Sequence, residues 1–141
     1  MMGELHQARD AGLPQYRSAL LSALARDLSS DPKVRGVFVS GSLAAGDEDL
    51  YSDIDLRIVV DRQDLKKFVE DKKQRAKRWG EVLFYEDLGP EVAHTVAHYV
   101  GFIKIDVFFY ALDQMVPSLF HKTMRILHDP SEILTDRGVP G

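Results

Sequence analysis

The stretch Gly41-Ser42-Leu43-Ala44-Ala45-Gly46-Asp47-Glu48-Asp49-Leu50-Tyr51-Ser52-Asp53-Ile54-Asp55-Leu56 decides how the rest of the chain is read. The apolar run before it, Val34 to Ser40, predicts a strand that delivers the chain to Gly41-Ser42. Asp53 to Val60 predicts a second strand. With period two and a rise of about 3.3 Å per residue, Asp53 and Asp55 project from one face with Cα atoms about 6.6 Å apart. Ile54, Leu56 and Ile58 take the other face and can be buried. Two carboxylates at that spacing repel each other unless a cation compensates them. An all-oxygen ligand set suits Mg²⁺, which typically takes one or two carboxylates together with substrate phosphates. Gly41 lets backbone come close to a ligand, and Ser42 offers a hydroxyl and an N–H at a helix start, where anions bind well. The pattern points to metal-assisted attack on a nucleoside triphosphate. The competing reading makes Tyr51-Ser52-Asp53 a turn, with Asp53 capping it and Asp55 on a solvated face.

Gly41-Ser42, ten residues, then Asp53-Ile54-Asp55 resembles the signature of the DNA polymerase beta-type nucleotidyltransferase superfamily. The resemblance extends from Val34 to Asp129, and Lys104-Ile105-Asp106-Val107-Phe108-Phe109 supplies a lone acid in an apolar run. It implies a palm-like core, with Gly41 and Ser42 on the nucleotide phosphates and Asp53 and Asp55 on two Mg²⁺ ions. Asp106 would be the third carboxylate, binding the acceptor-side metal or accepting the hydroxyl proton. The competing role for Asp106 is a structural pair with Lys104, an Arg or backbone donors. ATP or another nucleoside triphosphate would donate a nucleoside monophosphate, AMP from ATP, to a hydroxyl-bearing acceptor.

The wording around Leu43-Ala44-Ala45 and Tyr51 to Asp55 is most similar to aminoglycoside and lincosamide nucleotidyltransferases, which act on antibiotics. Those usually carry a further helical region completing the acceptor pocket, so a missing half, a partner protein or a homodimer is expected to complete the site here. Minimal nucleotidyltransferases, which adenylylate a HEPN-type toxin partner as antitoxins, resemble the chain equally in length. A non-catalytic nucleotide-binding module is a third alternative, against which the intact Gly-Ser and three acids argue.

Composition bounds the remainder. A chain of 141 residues, 45% hydrophobic and 28% charged, is expected to form a single domain, 1–141, with a core at about 30–130 and a tail or linker at 131–141. There is no cysteine, which excludes a disulfide framework and a thiolate metal site. No apolar run approaches the roughly 20 residues that span a bilayer, and the N-terminus lacks a signal-peptide pattern. A cytoplasmic protein without membrane contact is the expectation.

Along the chain, Tyr16, Ala19, Leu20, Ala23, Leu24 and Leu28 fall on one face of a helix after Pro14 that ends at Ser29-Ser30-Asp31-Pro32. Asp47, Glu48 and Asp49 read as a solvated acidic loop. Asp61 is placed to cap a helix from Arg62 to Trp79 whose apolar side is Leu65, Phe68, Val69, Ala76 and Trp79. That segment has eight basic residues against three acidic, a local +5 in a chain of −4. Without interleaved aromatics for base stacking, a solvated face is favoured over nucleic-acid binding, and an anionic partner protein is the alternative.

Glu81 to Glu86 reads as a strand, and His94 to Val100 with Phe102 to Tyr110 as a hairpin about Gly101. His94 and His98 would share a strand face about 13 Å apart, too far to ligate one zinc ion. Val116 to His121 predicts a short helix and Met124 to His128 an edge strand. The element order predicts an α+β fold, a mixed or antiparallel sheet with helices packed mainly on one face.

Overall fold

The computed structural model describes residues 17–40, 54–86, 88–101, 103–114 and 125–130. Helix α1 occupies residues 17–29. Strands β1 (Val34–Ser40) and β2 (Ile54–Val60) follow, then helices α2 (Arg62–Glu70) and α3 (Lys72–Lys77). Strands β3 (Val82–Glu86), β4 (His94–Tyr99) and β5 (Ile103–Ala111), a 3₁₀ turn at Leu112–Gln114 and strand β6 (Arg125–His128) complete the order. The predicted helix at Val116 to His121 lies outside the described residues.

The strands form one sheet in the order β3-β4-β5-β2-β1-β6. β2 pairs parallel with β5, and every other pairing is antiparallel. The mixed α+β fold expected from the sequence is therefore present. β6 lies at one edge, as Met124 to His128 predicted. One parallel pair at the centre follows from the long excursion after β2, through two helices and two strands, before β5 returns beside it.

Alternation decides which side of the sheet is buried. Along β5 every odd residue from Ile103 to Ala111 is buried and every even one is intermediate. β2 alternates likewise at its start, with Ile54, Leu56 and Ile58 buried and Asp55 and Arg57 half-buried. The odd face of β5 and the even face of β2 join one apolar core with Leu20, Leu24 and Leu28 of α1, Phe68 and Val69 of α2, and Ala76 and Trp79. Each leucine, isoleucine, valine or phenylalanine among them contributes about 1.5–3 kcal/mol when fully removed from water. Ala19, read from the sequence onto the apolar face of α1, is exposed, and Arg17 is buried. One methyl group gives little reason for a helix to rotate toward it.

The segment read as a single helix from Arg62 to Trp79 is broken at Asp71, whose φ of −94° and ψ of 9° leave the helical region. Apolar spacing did not reveal the break, because Phe68, Val69 and Ala76 reach the same core across it. The break accompanies an inward turn of Lys72, which is only 4% exposed. Its ammonium donates to the carbonyls of Gly89 and Val92 at 2.7 Å and of His94 at 3.1 Å. Three acceptors match its three donors, which is how a buried lysine is tolerated. Lys72→Met is expected to cost about 2–4 kcal/mol in urea unfolding, because those carbonyls lose a charged donor.

Asp61 does not cap α2 through its side chain. Its carboxylate is taken by Arg35 Nη1, at 3.0 and 3.2 Å, across the β1–β2 pair. The presumed basic face is also partly consumed by structure. Besides Lys72, Arg75 is half-buried and pairs with Asp27 at 3.2 Å and Asp31 at 2.6 Å, tying α3 to α1 and the chain after it. Trp79 Nε1 donates to the same Asp27. Arg62 pairs with Asp113 at 2.6 Å, while Lys66 and Lys77 are exposed. Of the eight basic residues, Arg62, Lys72, Arg75 and Arg78 tie elements together, while Lys66, Lys67 and Lys77 keep an exposed face.

Burial raises the Asp31 pKa, but the Lys33 amide and the Arg75 guanidinium outweigh it and hold the carboxyl below its ordinary value. A depressed folded-state pKa gives stability that is present above the unfolded value and is lost as pH falls through the folded one. Asp31→Asn is expected to cost about 1–2 kcal/mol at pH 7. Denaturant titrations should show that gap narrowing below about pH 4.

Candidate functional site

The even face of β5 and the odd face of β2 lie opposite the core, and there the parallel register sets Asp55 directly beside Asp106. Neighbouring strands are about 4.8 Å apart, so the two side chains leave the sheet in parallel at that spacing. Asp55 is half-buried, and the Asp106 side chain is 16% exposed. The same register row continues to Ser40 on β1 and to Val96 on β4. Ser40 is the last described residue before Gly41-Ser42, and Ile54 is the first after Asp53. Gly41, Ser42 and Asp53, like the acidic loop at 47–49, lie outside the described residues.

The fold therefore brings together two of the three carboxylates named from the sequence, although 50 residues separate them in the chain. Two adjacent acids on a half-buried face need compensating charge or donors. Asp106 has both. His94 Nε2 lies 3.1 Å from its Oδ1, and Lys104 Nζ lies 3.8 Å from its Oδ2. The pairing with Lys104 weighed from the sequence is thus present, at a distance beyond hydrogen-bond reach. His94 was not foreseen in the site. The signal was available in the hairpin: Gly101, at φ 93°, forms the turn and Tyr99 pairs with Ile103. That register sets His94 opposite Phe108 and Val96 opposite Asp106, so even-numbered residues of both strands share a face.

A ladder of rings and a cation runs across the face in the adjoining row. The His94 ring stacks on Phe108 with centroids 4.1 Å apart and planes at 11°. Arg57 follows, its guanidinium 5.1 Å from the Phe108 centroid and 6.0 Å from that of Phe38. Stacked and cation–π contacts of this kind hold side chains in fixed orientations next to the acids. His98 turns to another carboxylate, Glu86, at 3.1 Å, and stacks on Phe84 at 4.1 Å. Each histidine of β4 thus has its own acid.

Among the described residues, no group of three or more His, Cys, Asp or Glu side chains stands ready to hold a metal ion. The described part of the proposed set is Asp55 with Asp106. These two supply only carboxylate oxygens, the donors a hard divalent cation takes. No helix among the described residues is long and apolar enough to cross a membrane.

A search of curated proteins finds no match to the chain. The family model described as nucleotidyltransferase domain matches residues 21–112, which run from α1 to the start of the 3₁₀ turn and include Gly41-Ser42, Asp53, Asp55 and Asp106. With that match over more than half of its length, and with the mixed sheet setting Asp55 beside Asp106, the chain belongs to the nucleotidyltransferase domain family.

Proposed function

We propose that this nucleotidyltransferase moves a nucleoside monophosphate from a nucleoside triphosphate, ATP in the first instance, onto a hydroxyl of a small acceptor of the aminoglycoside or lincosamide kind. The observation that carries the reading is the in-register adjacency of Asp55 and Asp106 on the face opposite the core, in a chain of this family. Asp53, Asp55 and Asp106 would hold two Mg²⁺ ions, whose chemistry when bound is to polarise the phosphate and neutralise the charge that develops as pyrophosphate leaves. Gly41 and Ser42 would take the triphosphate through backbone N–H groups and the serine hydroxyl. Asp106 would orient the acceptor hydroxyl and receive its proton, a role suited to a carboxylate held in place by neighbours. The acceptor class rests on the wording of residues 43–55.

A second reading, adenylylation of a partner protein in the manner of a toxin–antitoxin pair, is favoured by one observation. Leu83, Phe84, Leu88 and Val92 are all more than 40% exposed along and after the edge strand β3. Consecutive strand residues face opposite ways, so Leu83 and Phe84 expose apolar surface on both sides of this sheet edge, which suits a protein surface better than a small polar acceptor. Pyrophosphate release from ATP and Mg²⁺, measured with an antibiotic panel and with a candidate partner protein, separates the two. Stimulation by a small acceptor supports the first reading, and stimulation by the protein alone supports the second. No release with any acceptor or nucleoside triphosphate would leave only nucleotide binding.

A further inference from the structure

We propose that His94 is a positioning residue for the Asp106 carboxylate, fixing one oxygen so that the other is presented on the face that carries Asp55. The proposal rests on the catalytic reading of Asp106. The imidazole is constrained from three directions. Its ring lies flat on Phe108, at 4.1 Å and 11°, on the strand that carries Asp106. Its own carbonyl is held by the buried Lys72 ammonium, which fixes where β4 begins. Its Nε2 reaches Asp106 Oδ1 at 3.1 Å.

A carboxylate oxygen only accepts, so the ring nitrogen facing it is the donor. Oδ1 is thereby committed to the protein. Oδ2 has Lys104 Nζ at 3.8 Å, on a side chain 34% exposed and long enough to move away. An aspartate without the imidazole would turn about its last torsion, which is broad and roughly two-fold, and exchange oxygens with Lys104. Partners that fix the orientation of a metal-ligating or reacting group commonly matter about 10–100-fold in metal affinity or activity.

The molecule contains its own control. His98 makes the same kind of pair at 3.1 Å with Glu86 and the same kind of stack on Phe84, but at the exposed end of the sheet, where Glu86 is 50% exposed. If a stacked histidine–carboxylate pair serves only to stabilise β4, the two histidines should behave alike. If His94 positions Asp106, only His94 should affect the metal and the chemistry.

The test uses the full chain and its variants His94→Leu, His94→Gln, His98→Leu and Asp106→Asn. Mn²⁺ affinity is followed by electron paramagnetic resonance in the presence of a non-hydrolysable ATP analogue, and pyrophosphate release from ATP is followed separately. His94→Leu is expected to weaken Mn²⁺ binding and slow release by about tenfold or more, with the KM for ATP changing far less. His94→Gln, whose amide N–H can still donate to Oδ1, should recover most of both, and His98→Leu should match the wild type. If the leucine variant does not fold, His94→Asn, whose amide is too short to reach Oδ1, replaces it in the comparison with glutamine. Wild-type behaviour of the leucine or asparagine variant, while Asp106→Asn binds Mn²⁺ more weakly and has lost pyrophosphate release, would overturn the role of His94 and leave the function intact. Wild-type behaviour of Asp106→Asn would remove the reading on which the proposal stands.

Discussion

Asp106→Asn is expected to lower the rate of the chemical step by about a hundred-fold or more while leaving ATP affinity much less affected. The substitution keeps shape and hydrogen-bonding capacity and removes only the charge. Asp53, Asp55 and the phosphates would still hold the nucleotide's metal, so binding should survive where turnover does not. The competing account is visible in the structure, because Asp106 is paired with His94 at 3.1 Å and has Lys104 at 3.8 Å. If those partners made it a folding element alone, the asparagine variant would melt earlier and retain turnover per folded molecule. Single-turnover rates and thermal melts on one preparation distinguish the two. Near-normal turnover would remove the three-carboxylate mechanism, leaving Asp106 as an acid held by His94 and Lys104 for structural reasons.

What the sequence made legible was local. An apolar run marked β1 and alternation marked β2 and β5, where the inward sets Ile54, Leu56, Ile58 and Ile105, Val107 are all buried. A glycine between two apolar runs marked the β4–β5 hairpin, and Gly101 does carry the positive φ its turn needs. What was not legible depended on contacts between distant residues. No local pattern specifies that Asp55 pairs in parallel register with Asp106 rather than with a residue two positions away, although a shift by one would turn one acid into the core. Lys72 read as one charge among eight, because nothing local announces three carbonyls from residues 89–94 waiting for an ammonium. Asp61 read as a helix cap, because Arg35 is near it only through the β1–β2 pairing. The break at Asp71 left no mark in apolar spacing, since both helices serve the same core.

The double variant Asp53→Asn with Asp55→Asn is expected to abolish the dependence of ATP binding on divalent metal, and with it transfer. Asp55 stands one strand spacing from Asp106, about 4.8 Å. Two unit charges at that distance repel by about 3 kcal/mol at an effective dielectric constant near 20. His94 and Lys104 offset part of this on the Asp106 side. Mg²⁺ reverses the balance in the wild type, where the same carboxylates become ligands and the ion links the protein to the phosphates. Calorimetric titration of ATP with Mg²⁺ and then with chelator should therefore give two different affinities for the wild type and one weak affinity for the double variant. Thermal melts should show Mg²⁺ with ATP stabilising the wild type alone, since only a species that binds the folded state raises its stability. Equal ATP affinity of the wild type with metal and with chelator would end the metal-dependent account. The adjacency of Asp55 and Asp106 would then be a charge pair held by His94 and Lys104, and the triphosphate would have to be held by Gly41 and Ser42 without carboxylate help.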